Sequence, residues 1–428
     1  MNTFAIATLG CKVNAFESES YLESLTGLGY AEVDFRQPAD VYIINTCCVT
    51  NTAASKSRQR ISQAQRTNPQ ALICVVGCYV QTHAEELKAQ LGIDILVGAG
   101  GKAELAKRID DAIKQNTAST NQEIKDIDSF EELKVSKFTH QTRAFLKIQD
   151  GCDQFCAYCI IPFARGRERS QTPQSVIEQA VTLSASHPEI VLAGIHTGRY
   201  GKEHGIDLTR LIRAILTEAP QLKRIRISSI EVTEITDGFI AMMRAEPRIA
   251  RHLHIPIQAG CDATLQRMKR PYTVQEYLDR IAAIRQEIPD ISISTDLIVG
   301  FPQEDEDEFL MTLETMKKAR FAFMHVFPYS KRADTAAADM PGQNDPQCKK
   351  QRVQAAQLTS SLLHEQFMRG FIGKKLSIII EETDEDGAFG HSSEYIPVRI
   401  KKNTLKPKES IEVRAVALSD GCLIGEES

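Results

Sequence analysis

The chain has 428 residues, too many for one ordinary core, so two or three domains are expected. Lys and Arg number 51 against 56 Asp and Glu, a net charge of −5, which excludes a protein that coats nucleic acid through bulk charge; an RNA partner must be met by local basic patches. Eleven clustered cysteines without a basic leader and apolar stretch before them point to metal or redox chemistry in a reducing compartment, and no run of about 18 apolar residues suggests a membrane span, so a soluble cytoplasmic protein is expected; a monomer is taken as its state.

From residue 3 to about 115, short apolar runs ("TFAIATLG", "DVYIINTC", "ALICVVGC", "IDILVGAG") alternate with helical stretches at 17–28, 52–67, 82–91 and 101–115. That rhythm predicts βαβ units and an open parallel sheet, assigned to residues 1–118. Cys11, Cys47 and Cys78 each stand just past the C-terminal end of a strand. Such ends meet at one crevice in an open α/β sheet, so three distant residues can form one three-thiolate site. Cys74 reads as a small buried hydrophobe, and Cys48 beside Cys47 leaves the choice between them open. "VGAGGKAEL" at 97–105 is a faint dinucleotide fingerprint without an acidic strand residue about 20 positions on, which argues against a nicotinamide dehydrogenase.

Residues 116–142 are polar, acidic and aperiodic, with a linker drawn at 119–142. A second alternation follows, with apolar runs near 144–149, 190–195, 224–229, 252–257, 292–299 and 322–327. Six units predict a partial (β/α)6 barrel over 143–370. The last stretch, 371–428, reads as a small all-β module. It holds eight basic and eleven acidic residues from Lys374 onward, so only its segment "RIKKNTLKPK" offers an electrostatic footprint.

At the end of the first barrel strand, "GCDQFCAYC" places Cys152, Cys156 and Cys159 on one short loop, where barrel enzymes build active sites. Three thiolates on a four-iron cube leave one iron open, whereas structural zinc, the competitor, wants a fourth ligand that no nearby His or Cys supplies. Gly194 and His196, Glu231, Gln258, and Asp296 with Gly300 follow later strands and point to the same mouth. Candidate phosphate contacts are Lys56, Arg58, Arg60 and Arg66 on the helix after Cys47, and Arg165, Arg167 and Arg169 after the close cysteines.

The spacing C-x3-C-x-aromatic-C, with Tyr158 as the aromatic, resembles the radical S-adenosylmethionine (SAM) superfamily. "LGCKVN", "NTCCVTN" and "VVGCY" resemble the N-terminal domain of its methylthiotransferase family, and the tail is similar to the TRAM RNA-binding module. With "IHTGRYG", "RISSIE" and "HLHIPIQAG", the likeness extends to the branch acting on N6-threonylcarbamoyladenosine beside the tRNA anticodon. The resemblance implies two 4Fe-4S clusters, one on each cysteine triad, with Cys47 rather than Cys48 as ligand by motif position. It implies SAM on the open iron near Tyr158, Gly194, His196, Glu231, Gln258, Asp296 and Gly300. One SAM would methylate a cluster-borne sulfur and a second would give the radical that removes hydrogen from adenine carbon 2. Carbon 2 then gains a methylthio group; its C–H bond is strong and not acidic, beyond acid–base catalysis. The partners implied are a tRNA anticodon loop, an electron donor and a sulfur source, the last two not named by the sequence. The target base would be splayed into a closed pocket.

"YSKRADTAA" at 329–337 departs from the family pattern, with Asp334 where Gly is usual, so no role is carried over to Arg332. Three rivals remain: methylthiotransfer to isopentenyladenosine, methylthiotransfer to a protein side chain, and an iron–sulfur electron-transfer protein without turnover.

Overall fold

The computed structural model describes residues 1–89, 92–115 and 129–427. The end of the expected 82–91 helix and the first part of the expected linker tract, 116–128, lie outside the described residues. The N-terminal part is a five-stranded parallel sheet in spatial order Ala31–Glu32, Thr3–Thr8, Val41–Thr46, Leu72–Gly77, Ile95–Val97. Its central strand VYIINT is buried at every residue, as a strand covered on both faces must be. Helix Asn51–Thr67 starts where the Thr50 side chain accepts the Ala53 N–H, an N-cap that relieves one orphan donor.

The central part follows the six expected runs. Strands Arg143–Lys147, Glu189–Ala193 and Arg224–Ile227 form one parallel sheet, and His252–His254, Ser292–Val299 and Phe323–Pro328 another. The sheets meet at a parallel bridge, Ile225 to Ile249. No pairing among the described residues joins the first strand to the last, so the barrel is open along that side. Amphipathic helices cover the outside; Leu208–Glu218 buries Leu208, Leu211, Ile212, Ile215 and Leu216 on one stripe. The tract from residue 129 onward is packed: Leu133, Val135 and Phe138 join the barrel core, and Glu23 and Glu19 accept the N–H groups of Ser136 and Thr139.

The tail is a closed five-stranded barrel, Lys375–Asp384, Gly387–Ser392, Pro397–Ile400, Cys422–Glu427 and Ser410–Ser419 in spatial order, so its edges pair with one another. It docks at the N-terminal ends of the central strands through a buried ion cluster. Glu189 accepts from Arg226 Nε at 2.7 Å and Arg224 Nη1 at 3.1 Å; Arg224 Nη2 also donates to Ser377 O at 2.8 Å, and Arg226 Nη1 to Ser393 O at 3.2 Å. Burial would raise the Glu189 pKa, but the two guanidiniums hold it at about 2. Glu189→Ala strands two buried cations and is expected to cost about 3–5 kcal/mol. Urea unfolding would show it, together with faster proteolysis near Gly370 as the tail loosens.

Candidate active site between two cysteine triads

Register explains how the distant cysteines meet. Thr46 pairs with Gly77, so Cys47 and Cys78 leave neighbouring strands at one level, while Thr8 pairs with Asn45 and Cys11 follows after a short turn. That turn uses Gly10 at φ 105°, where a Cβ would lie 2.9 Å from Cys47 Cβ; Gly77, at φ 100°, would put one 2.8 Å from Thr46 O. Only glycine fits either backbone. The Cys47 thiol feels the charge of both Cys78 and Cys11, and burial pushes its pKa up to about 11. Cys48 is turned into the apolar cluster around Tyr79 and Ile160 and hydrogen-bonds Cys78.

Arg165 ties this crevice to the barrel. Fully buried, it donates Nε–H to Cys78 Sγ at 3.1 Å and Nη2–H to Asn14 Oδ1 at 2.7 Å, and its Nη1 lies 3.0 Å from Glu17 and 3.2 Å from Asp150. Lys102 and Lys147 also pair with Glu17, and Lys147 and Arg169 with Asp150. Four buried cations thus face two buried carboxylates beside the cysteines. The Cys48 hydrogen bond, against burial and helped by Arg165 and Lys102, lowers the Cys78 pKa to about 6.

The close triad sits after Gln149–Asp150, on a loop in which Phe155 takes a left-handed φ of 47°. Arg270 donates to Cys156 Sγ at 3.2 Å and forms an ion pair with Glu231. His196 Nδ1 lies 3.6 Å from Cys152 Sγ and 3.1 Å from Glu168, and its Nε2 lies 2.6 Å from Glu234. Burial would lower the His196 pKa, but Cys152, Glu168 and Glu234 raise it to about 12. Tyr158 packs half-buried against the barrel core.

A cavity of about 1150 Å³ is lined by residues of all six barrel strands. Cys11 and Lys12 line it from the N-terminal part, Gly194 from just past the strand Glu189–Ala193, Asp296 from within the strand Ser292–Val299 and not past its end as expected, Phe323, His325 and Phe327 from the last strand, and Tyr395 from the tail. Gln258 is buried beside it, its N–H donating to Asp296 O at 3.0 Å. Gly300 instead packs under the helix Pro346–Arg369, where a Cβ would lie 2.5 Å from Lys349 Cγ.

Comparison with known proteins accords with this layout. The uncharacterized protein family UPF0004 matches residues 3–98 and the radical SAM superfamily residues 146–316. Over 409 residues the chain is 43% identical to the threonylcarbamoyladenosine tRNA methylthiotransferase MtaB of Bacillus subtilis (strain 168), covering 94% of this chain and 91% of that protein. The chain belongs to the radical SAM methylthiotransferases. It is also 32% identical over 387 residues to the tRNA-2-methylthio-N(6)-dimethylallyladenosine synthase of Acetivibrio thermocellus (88% of this chain, 80% of that one). The radical SAM methyltransferase TsrM of Kitasatospora setae, solved with cobalamin and a 4Fe-4S cluster, shares the fold at TM-score 0.59 and 12% identity, over 78% of this chain and 76% of that one.

For a radical SAM methylthiotransferase, a 4Fe-4S cluster and SAM are the family's cofactors. The residues fit such guests: each triad is three thiols, the soft donor iron–sulfur clusters take, with Glu168 and His196 beside Cys152, and the cation surplus beside Cys78 suits an anionic group. The expected phosphate contacts need correction. Arg165 and Arg169 are buried and consumed by Glu17 and Asp150, so neither is free for RNA. Arg167 is 74% exposed by side chain, and Lys56, Arg58 and Arg66 are exposed, with Arg60 partly so. Sequence reasoning missed Asn14, Glu17, Lys102, Asp150 and Arg270, which carry no motif. It also withheld a role from Arg332, which is buried and hydrogen-bonds Cys48 O, Val49 O and Asn51 Oδ1. Asp334 takes φ 67°, meeting the left-handed turn without glycine.

Among the described residues no helix is long and apolar enough to cross a membrane.

Proposed function

We propose that this chain adds a methylthio group to carbon 2 of N6-threonylcarbamoyladenosine next to the anticodon of tRNA. The observation that supports the reading is the barrel cavity lined by Cys11 of the distant triad together with Gly194 and Asp296; the close triad is not among its lining residues. The names of its relatives supply the chemistry and the substrate. In this reading Cys152, Cys156 and Cys159 hold one 4Fe-4S cluster and Cys11, Cys47 and Cys78 the other, in a cytoplasmic monomer. Residues 1–118 carry the second cluster, 143–370 the first with SAM, and 371–428 RNA contacts. When bound, these groups supply a radical able to break the C2–H bond and the sulfur that replaces the hydrogen.

The chain's own residues bind, orient and exclude water. Arg270 and His196 hold Cys156 and Cys152 in place through 3.2 and 3.6 Å contacts, and Glu231 and Glu234 fix those two in turn. Tyr158, Gly194, Gln258 and Asp296 would cradle SAM, with Gly300 shaping the turn behind them. Phe323, His325 and Phe327 form an aromatic edge, His325 stacked on Phe327 at 6.2 Å, against which a splayed base can lie. Arg167 sits 5.1 Å from the exposed Phe155 ring, a cation and aromatic pair suited to RNA. Lys56, Arg58 and Arg60 would meet phosphates.

The test is a reaction of the reconstituted, reduced protein with SAM and tRNA, read by nucleoside mass spectrometry. The expected product is 2-methylthio-N6-threonylcarbamoyladenosine together with 5′-deoxyadenosine. A methylthio group on dimethylallyladenosine alone would overturn the substrate, and no 5′-deoxyadenosine would overturn the enzyme reading.

A further inference from the structure

Lys12 directly follows Cys11, is exposed, and lines the large cavity. Two arginines share that lining, and both are engaged. Arg143 reaches both Glu381 carboxylate oxygens at 2.9 Å, and Arg226 is taken by Glu189 and tail carbonyls. Around the same wall, burial pushes the pKa of His252 and His325 down, and the Lys12 charge adds to it, so these rings are neutral near pH 7. His254 faces Asp296 at 3.3 Å, His391 faces Glu381 at 2.7 Å and His140 faces Glu32 at 3.0 Å. Among the described lining residues, Lys12 is thus the full cation with neither a hydrogen bond nor an acidic partner.

An unpaired, exposed ammonium on the wall of a substrate cavity favours a guest that carries an anion there. A carboxylate leaving water must find a counter-charge, whereas an aliphatic substituent gains nothing from one. We propose that Lys12 reads the carboxylate of the amino-acid group on the substrate adenine and so sets which modified adenosine the cavity accepts. This rests on the reading of the site as a tRNA adenosine methylthiotransferase. Lys12 acts as a specificity residue: its ammonium donates to the carboxylate while the adenine edge is held beside Cys11. An aliphatic substituent on the same nitrogen would leave that ammonium without a partner.

Anticodon stem-loop RNAs differing only at the adenosine beside the anticodon test it. Three forms are compared, unmodified, threonylcarbamoyl and dimethylallyl, with the full reconstituted chain and with Lys12→Met and Lys12→Arg. Lys12→Met is expected to bind the threonylcarbamoyl RNA roughly tenfold to hundredfold more weakly, the loss of a charge-assisted hydrogen bond. Its affinity for the other two RNAs and its iron content should stay constant, its KM should rise more than its kcat falls, and Lys12→Arg should restore most of the preference. An equal loss on all three RNAs would mark Lys12 as a phosphate contact and overturn the proposal. An unchanged ratio between RNAs, with or without loss of iron, would do the same. Failure of the unaltered chain to methylthiolate the threonylcarbamoyl RNA would instead sink the underlying functional reading, whatever Lys12 does.

Discussion

Replacement of Cys11, Cys47 and Cys78 by alanine is expected to remove about half of the bound iron and all methylthio product, while 5′-deoxyadenosine still forms from SAM. Replacement of Cys152, Cys156 and Cys159 should also leave about half of the iron, but abolish both products. The asymmetry follows from geometry. The close triad stands on one loop of the barrel with its own supporting Arg270 and His196, so its site does not need the distant triad to form. The distant triad stands on three strand ends of a separate sheet and reaches the barrel through Arg165. Iron and sulfide quantification with product analysis checks both. Full iron retention in the first variant would show that Cys11, Cys47 and Cys78 hold no cluster, and loss of all iron would show that the two sites are not independent.

Arg165→Met should destabilise the chain by about 3–5 kcal/mol, because removal of one partner from a buried ion network leaves the other charges uncompensated. Glu17 and Asp150 are the groups exposed to that loss. Burial would raise their pKa values, but Arg165 with Lys102 and Lys147 around Glu17, and Lys147, Arg165 and Arg169 around Asp150, hold both well below their ordinary 4.5 and 3.8. Depressed carboxylates add stability that is complete above the unfolded values and fades as pH falls below them. The unaltered chain should therefore hold a plateau from neutral pH down to about 4.5 and weaken below it. In Arg165→Met the carboxylates lose a principal cation and their folded pKa values move up toward the unfolded ones, so the chain is less stable at neutral pH and the further loss below about pH 4.5 should be smaller. Urea unfolding between pH 3 and 7 measures both effects; an unchanged midpoint across that range would remove the network from any structural role.

Much of this architecture was legible in the sequence because it is periodic. Each of the six central strands overlaps an apolar run, and the position of a cysteine after a strand is a local property, so a common crevice for Cys11, Cys47 and Cys78 could be expected from the sequence. Burial of charge is not local. Arg165 stands among arginines beside the close cysteines and reads as a phosphate contact, yet it is sealed by Glu17 and Asp150, the former from 148 residues away. Lys102 meets the same carboxylate from 85 residues away. No window of sequence contains such a network. A weaker signal was present in the tract before the barrel, where Leu133, Val135 and Phe138 interrupt an otherwise polar run and are the residues that pack. Another lay in "RIRI", whose alternating arginines mark a strand edge that must find carboxylates or carbonyls, and did so in Glu189 and the tail.

The excess of positive charge beside Cys78 also bears on how the protein matures. Burying four cations against two carboxylates, with Glu131 acting on Arg169 from nearby, leaves positive charge that these carboxylates only partly offset. Deprotonated thiols, and any anionic inorganic guest they take up, complete the balance from within. Iron uptake and consolidation of the N-terminal sheet are therefore thermodynamically linked, and chelation should loosen that crevice ahead of the rest of the chain.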